Sequence, residues 1–393
     1  MILRNCSLLS ELVEGYTHTS ADILIEGGEI KGIYPCGELK TENNCEMDMN
    51  NQYVLPGLFD MHVHLTLSAE DTLIDSNKTP IQLALDGYKF ALDSLKRGFT
   101  TLRDVGASNR AVIGIRDSIN NNKLIGPNIF ASGRIITPTE SGNEFFKGMY
   151  LEVDKPDDMV GAVRNVIKDG ADFIKLMGTG AIMNPGGVPG QTICFDEEYK
   201  AIVKAAEFKN TYVAVHCHGT EAIKSAIKAG CRTIEHASIM DDEAIEMLEN
   251  SETYIVPTLS AVTTLLRDLP LSSKHMKAKA EAILNKTLEG VTKAYKKRLK
   301  IGFGTDQGVT GLYHGDNGKE FELRQQLTNM DNIDLIKQAT INSAEIMGVD
   351  ERLGSIKVGK IADLISVEGN PLKDISVLRN GVTNVIKTGV LVK

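Results

Sequence analysis

Gly57-Leu58-Phe59-Asp60-Met61-His62-Val63-His64 is the stretch on which the fold turns. It is apolar along most of its length, as a strand covered on both faces must be, and parallel sheets bury strands in that way. It closes on H-x-H. Residues at i and i+2 of a strand point to the same side, so two imidazoles converge where this strand ends. The bland alternative is a histidine pair that only hydrogen-bonds in the core.

Working outward, the same pattern recurs. The spacing predicts strands near 58–64, 99–104, 128–132, 172–177, 212–217, 232–236, 253–258 and 301–305. Helical periodicity separates them, including 156–169, 195–209, 219–230 and the charged stretch 273–299. Strands alternating with helices are the signature of βα units and a parallel sheet. Eight such strands imply an α/β fold closed into a (β/α)8 TIM barrel, with chemistry at the C-terminal ends of the strands.

The two ends of the chain read differently. Ile23-Leu24-Ile25, the Gly27-Gly28 turn, the run from Ile30 to Ile33 and a polar stretch around Asn43-Asn44 suggest short strands. Gly354-Ser355-Ile356, Ala362-Asp363-Leu364-Ile365-Ser366-Val367 and Val385-Ile386-Lys387-Thr388-Gly389 suggest the same near the other end. We expect a small β-sandwich built from 1–55 and 355–393, and a barrel spanning 56–354. A chain of 393 residues accommodates both, since a barrel alone takes about 250.

Composition narrows the class. Hydrophobic residues at 42% and charged residues at 24% match a soluble globular protein with a substantial core and argue against disorder. Net charge is −9, from 43 basic and 52 acidic residues, which argues against nucleic acid or an anionic membrane as partner. The basic cluster Lys296-Lys297-Arg298 with Lys300 reads as a solvated helix face. Six cysteines lie far apart with no C-x-x-C pair, as expected of free thiols in a reducing cytoplasm. Met1-Ile2-Leu3 runs directly into Arg4, so no signal-peptide core is expected. Nor is there an apolar run of about 18 residues that would span a membrane. A small-molecule substrate is the expected partner; the oligomeric state is open.

Chemistry gathers at the predicted strand ends. Lys175 stands inside the apolar run Phe173-Ile174-Lys175-Leu176-Met177. A buried ammonium is costly, and burial depresses a lysine pKa. The free amine can combine with carbon dioxide to give a carbamate, an anion able to bridge two metals; otherwise the lysine pairs with a buried carboxylate or snorkels to the barrel mouth. Val213-Ala214-Val215-His216-Cys217-His218 ends in a second H-x-H, and Thr233-Ile234-Glu235-His236 adds another histidine. Five of the eight histidines in the chain thus stand at strand ends. Gly302-Phe303-Gly304-Thr305-Asp306 places an acidic residue where a general base would face the cavity.

This arrangement resembles the amidohydrolase superfamily over essentially the whole chain. The resemblance includes the entrance Val54-Leu55-Pro56-Gly57 and the closing Gly354-Ser355-Ile356-Lys357-Val358-Gly359. Gly98-Phe99-Thr100-Thr101-Leu102-Arg103-Asp104, Thr233-Ile234-Glu235-His236-Ala237-Ser238 and His314-Gly315-Asp316-Asn317 look like the imidazolonepropionase-related, prolidase-like branch of dipeptidases acting on Xaa-Pro or Xaa-Arg. The resemblance implies two divalent metal ions, expected to be zinc. His62 and His64 would bind one with Asp306, His216 and His236 the other, and carboxylated Lys175 would bridge them.

On this reading Asp306 moves the proton, and His218 hydrogen-bonds the developing oxyanion or the substrate carboxylate. A direct metal contact or an orienting role are the alternatives for His218. The glycine- and proline-rich stretch from Gly178 to Gly190 forms either a lid or an ordinary connection, and lacks the G-K-[ST] of a phosphate cradle. His314, Asp316 and Arg103 are candidates to grip a charged substrate, although Arg103 also fits an ion pair with Asp104 or another wall carboxylate. Tyr313 fits packing as well as contact. The expected activity is amide hydrolysis in a dipeptide or N-acyl amino acid. A mononuclear deaminase or imidazolone-type hydrolase and a non-catalytic scaffold are the competing readings; the first has no need of Lys175, and the second would have lost ligands.

Overall fold

Strand and helix form where apolar periodicity switches between two and 3.6. The structure, a computed structural model, describes residues 1–40, 45–70, 75–267 and 274–393. The stretch around Asn43-Asn44 and residue 273, the first of the expected long helix, lie outside the described residues. Strands occur at Leu58–Val63, Phe99–Asp104, Asn128–Ala131, Ile174–Met177, Val213–Cys217, Thr233–His236 and Tyr254–Val256. Every side chain of Leu58–Val63, Ile174–Met177, Val213–Cys217 and Thr233–His236 is buried, which explains their lack of polar alternation.

Six strands make one sheet, in the order Tyr150–Glu152, Ile135–Thr137, Ile174–Met177, Val213–Cys217, Thr233–His236, Tyr254–Val256. All of its pairings are parallel. Leu58–Val63, Phe99–Asp104 and Asn128–Ala131 form a second sheet. Helices alternate with the strands, among them Pro156–Lys168, Asp196–Glu207, Thr220–Ala229 and Lys274–Lys296. Pro156–Lys168 shows why they form: Met159, Ala162, Val163 and Val166 are buried at helical spacing, with Asp157 and Asp158 in the first turn, where carboxylates complement the helix dipole. The fold is therefore α/β with parallel sheets.

The expected strand at 301–305 is not regular. Ile301 makes an isolated parallel bridge to Ile255, and Gln307 makes one to Val63. Between them Gly302 N donates to Ile255 O at 3.0 Å, while Met61 N donates to Phe303 O and Asp306 N to His62 O, both at 2.8 Å. The segment thus has backbone partners on both sides. At Gly304 a Cβ would lie 2.6 Å from Val256 Cγ1 and 2.9 Å from His62 Cβ, so glycine permits this close approach. Asp306 then takes a left-handed backbone with φ +67°, which ends any regular strand.

The chain divides into two compact units, Met1–Asp60 with Leu92–Thr101 and Gly315–Lys393, and Met61–Ala91 with Leu102–His314. In the first, both chain ends contribute to a single eight-stranded sheet, where the sequence predicts a sandwich. Leu364–Val367 pairs antiparallel with Tyr53–Pro56 on one side and with Val382–Lys387 on the other. Leu3, Ile23, Ile25, Leu364 and Ile386 form its core. The Gly27-Gly28 turn joins Ser20–Glu26 to Glu29–Tyr34 with both glycines at positive φ, the geometry that two-residue hairpins require. The helices from Lys319 to Met347 fall in this unit as well. No helix among the described residues is long and apolar enough to cross a membrane.

Candidate metal centre

The strand ends deliver their histidines to one place. His62 and His64, two residues apart, place ring centroids 5.5 Å from each other. Their Nε2 atoms lie 3.3 and 3.4 Å from the same Asp306 oxygen. His216 and His218 end Val213–Cys217, and the next strand aligns His236 with Cys217. Two buried groups result, His62 with His64 and Asp306, and His216 with His218 and His236. Within each, the potential ligand atoms lie within 4.8 Å of one another. The His62 and His236 rings approach to 4.8 Å, which brings the two groups together.

The outer ring nitrogens are held. His62 Nδ1 donates to Glu235 Oε2 at 2.8 Å, and His64 Nδ1 donates to the Gly106 carbonyl at 2.8 Å. His218 Nδ1 meets Ser238 Oγ at 2.8 Å, and His236 Nδ1 meets Thr258 Oγ1 at 2.7 Å. Such contacts fix ring orientation and tautomer, as around ligating histidines. Burial holds His218 down at about 3, and His216 and His236 well below the usual imidazole range. Their rings are therefore neutral, the state in which imidazole ligates a cation. Burial alone would raise Asp306, but His62 and His64 beside it hold the carboxyl well below its usual range.

Two polar atoms test whether a cation fits. Lys175 Nζ and His216 Nε2 are buried with no hydrogen-bond partner, an arrangement that costs stability unless something else satisfies them. Burial pushes the Lys175 ammonium down to about 8, which makes its free amine accessible near neutrality. Neutral imidazoles, a carboxylate and an unpartnered amine around one cavity are a donor set suited to divalent metal. His236 and Asp306 both adopt φ +67°, and backbone strain of this kind clusters at functional sites.

Around this centre lies a cavity lined by Lys175, Asp306 and these five histidines. Its remaining wall is apolar except for Tyr150. Ala181, Ile182 and Met183 of the 178–190 stretch are part of it. That stretch is closed at its base by a bridge between Thr179 and Thr192, and Lys279 Nζ donates to the Asn184 carbonyl at 2.7 Å.

Three expected substrate contacts are engaged elsewhere. Arg103 is fully buried and donates to Glu235 Oε1 at 2.6 Å and to the Met61 carbonyl at 2.7 Å. Its guanidinium also lies over Phe173 at 5.4 Å, so it takes the ion-pair arrangement expected as its alternative, with Glu235 as the wall carboxylate. His314 Nε2 donates to the Leu67 carbonyl at 3.0 Å, with its ring stacked on Phe90. Asp316 is paired with Arg379 through Nε at 2.7 Å and Nη2 at 3.0 Å.

Sequence reasoning missed Glu235, Ser238, Thr258 and the apolar wall. Glu235 had a signal: it lies two residues beyond Thr233 on a fully buried strand, and Thr233 Oγ1 donates to it at 2.6 Å. A buried carboxylate needs partners, and Arg103 and His62 supply them. Burial would raise Glu235, yet those two hold it well below the carboxylate range.

Comparison with known proteins agrees with this geometry. The model of the amidohydrolase family matches residues 53–392. Ochratoxinase of Aspergillus niger is 29% identical over 371 residues, covering 86% of this chain and 75% of that protein. Among solved structures, a Xaa-Pro dipeptidase with methionine in its active site is 35% identical, with a TM-score of 0.91 over 100% of this chain and 99% of the other. A prolidase complexed with N-methylphosphonate-L-proline is 29% identical, with a TM-score of 0.88 and the same coverage.

Proposed function

The chain belongs to the amidohydrolase family, and from that premise we propose that it is a binuclear metal-dependent hydrolase that cleaves the amide bond of a dipeptide or N-acyl amino acid. That it is a hydrolase acting on amide bonds, of the prolidase-like branch, follows from its family and relatives. The finer reading rests above all on Lys175, an amine buried without a partner in the cavity that both ligand groups line. We also read the two parallel sheets and the 301–307 segment as one closed (β/α)8 barrel, supported by backbone bonds from that segment to residues on both sides. In this barrel residues 56–354 form the hydrolase body and the two termini the companion domain.

His62, His64 and Asp306 would hold one cation, and His216 and His236 the other. Lys175 would bridge them after its Nζ bonds to carbon dioxide and releases a proton, giving a carbamate. When bound, two divalent ions, zinc by preference, would supply Lewis acidity toward a water and toward the scissile carbonyl. Asp306 takes the proton of the attacking water and passes it to the departing amine nitrogen. His218, fixed by Ser238, hydrogen-bonds the oxygen on which charge develops. The relatives support the substrate class: one dipeptidase carries a bound methionine, and one prolidase is complexed with N-methylphosphonate-L-proline.

Elemental analysis of zinc-loaded protein, combined with a panel of dipeptides and N-acyl amino acids, tests the reading. About two equivalents with amide hydrolysis is the expected result. One equivalent with deamination of a purine would favour the deaminase alternative, and no metal after reconstitution would favour a scaffold.

A further inference from the structure

The cavity wall carries information about the substrate that the ligand set does not. Most of it comes from three segments: Phe146, Met149 and Tyr150 leading into strand Tyr150–Glu152, Ala181 to Met183 from the stretch after Ile174–Met177, and Ala261, Val262 and Leu265 from helix Leu259–Leu265. Phe146, Met149, Met183 and Leu265 are all buried. They belong to one hydrophobic cluster that also contains Met276, Ala280 and Ile283 of the long helix Lys274–Lys296. The wall is thus backed by a packed helix. Among the described lining residues Asp306 is the sole carboxylate and Lys175 the sole ammonium, and both belong to the candidate metal centre. Apart from the histidines, Tyr150 is the remaining polar group.

We propose that the substrate group enclosed by this wall is a large, uncharged apolar side chain of leucine, methionine or phenylalanine size. This inference rests on the amide-hydrolase reading above and narrows its substrate class. A lysine or arginine side chain would be desolvated against Met183 and Leu265 with no free carboxylate to meet it, and an acidic one with no free cation. A branched or thioether chain fills such a wall, and methionines adapt to several shapes. The wall therefore decides against the basic substrates that the family resemblance leaves open.

The experiment compares kcat/KM for Xaa-Pro dipeptides and for N-acetyl-Xaa amino acids, with Xaa as Met, Leu, Phe, Lys, Arg or Glu. Apolar side chains should exceed charged ones by about 100-fold in at least one series, the scale of discrimination that side-chain burial supports. Lysine, arginine or glutamate at or above the apolar residues in both series overturns the proposal. In Met183→Glu the ratio of lysine to methionine substrates should rise by about 10-fold.

A second measurement works without turnover. With methionine methyl groups labelled with carbon-13, N-acetyl-L-phenylalanine should shift the Met149, Met177 and Met183 resonances, and N-acetyl-L-lysine should not. Equal shifts from both ligands, or none from either, overturn the proposal. If no amide in the panel is cleaved by the metal-loaded protein, the functional reading fails, and the methyl shifts still decide whether the wall selects apolar groups.

Discussion

Glu235 accepts a hydrogen bond from His62 Nδ1 at 2.8 Å and so holds a candidate metal ligand from the buried interior. Its other oxygen accepts from Arg103 at 2.6 Å. One buried carboxylate therefore couples the interior ion pair to the orientation of the metal centre.

Glu235→Gln should test this coupling. The substitution keeps the shape but leaves the Arg103 guanidinium uncompensated, and breaking a buried pair costs about 3–5 kcal/mol. Loss of the anchor on His62 should also weaken metal binding by about 10- to 100-fold. Chemical denaturation and a competition titration with a chelator measure the two effects. Parent-like metal affinity would separate the ion pair from the site.

Lys175→Ala removes the proposed bridge. We expect metal content to fall from about two equivalents to about one, with loss of hydrolysis. Retention of both equivalents in the alanine variant would rule out the carbamate.

Asp306→Asn keeps the side-chain volume and a ligating oxygen but cannot take a proton. Metal content should be retained while kcat falls by about 10²- to 10⁴-fold. Parent-rate hydrolysis by the asparagine variant would refute the proton-transfer role.

Gly304→Ala places a methyl group 2.6 Å from Val256 Cγ1 and 2.9 Å from His62 Cβ. Relief requires backbone or His62 to move, at a cost of about 1–3 kcal/mol. Denaturation midpoints and metal affinity should fall together, because the displaced neighbour is a candidate ligand.

In the terminal unit, the Lys357 ammonium donates to Glu14 at 2.6 Å, and Ser355 and Lys360 donate as well. Lys357 above all lowers the Glu14 carboxyl from 4.5 to about 2. The folded state thus favours the ionised form, so this contribution is fully present above pH 4.5 and is lost as pH falls through 2. Glu14→Gln should flatten the pH dependence of stability in that window, as read from urea midpoints at several pH values. An unchanged slope would show that the pair is screened by solvent.

Much of the site was legible because ligation demands rare residue types at a fixed period. His62 and His64 are two residues apart, as are His216 and His218, and few structural needs place histidines so on an apolar strand. What could not be read were partners chosen by three-dimensional proximity. Ser238 and Thr258 are ordinary hydroxyls until their positions against His218 and His236 are known. Met183 and Leu265 look like any core residue, since a cavity wall and a packed core have the same composition. For Arg103 the sequence left two readings open, a substrate grip or an ion pair with a wall carboxylate, and the position of Glu235 identifies the pair. The segment 301–305 carries a strand's apolar pattern, but its glycines and the left-handed Asp306 prevent regular pairing.

The sheet of the terminal unit constrains how the molecule is made. Tyr53–Pro56 leaves the ribosome well before its antiparallel neighbour Leu364–Val367, which lies roughly 300 residues later in the chain and waits on the pace of synthesis. At about 5–20 residues per second the wait is on the order of tens of seconds. Throughout it the nascent chain presents an open strand edge, the kind of surface that invites pairing with other chains. Newly made protein should accordingly need holdase protection more than refolded protein does, and emergence of Leu364–Val367 should set the moment at which it becomes aggregation-resistant.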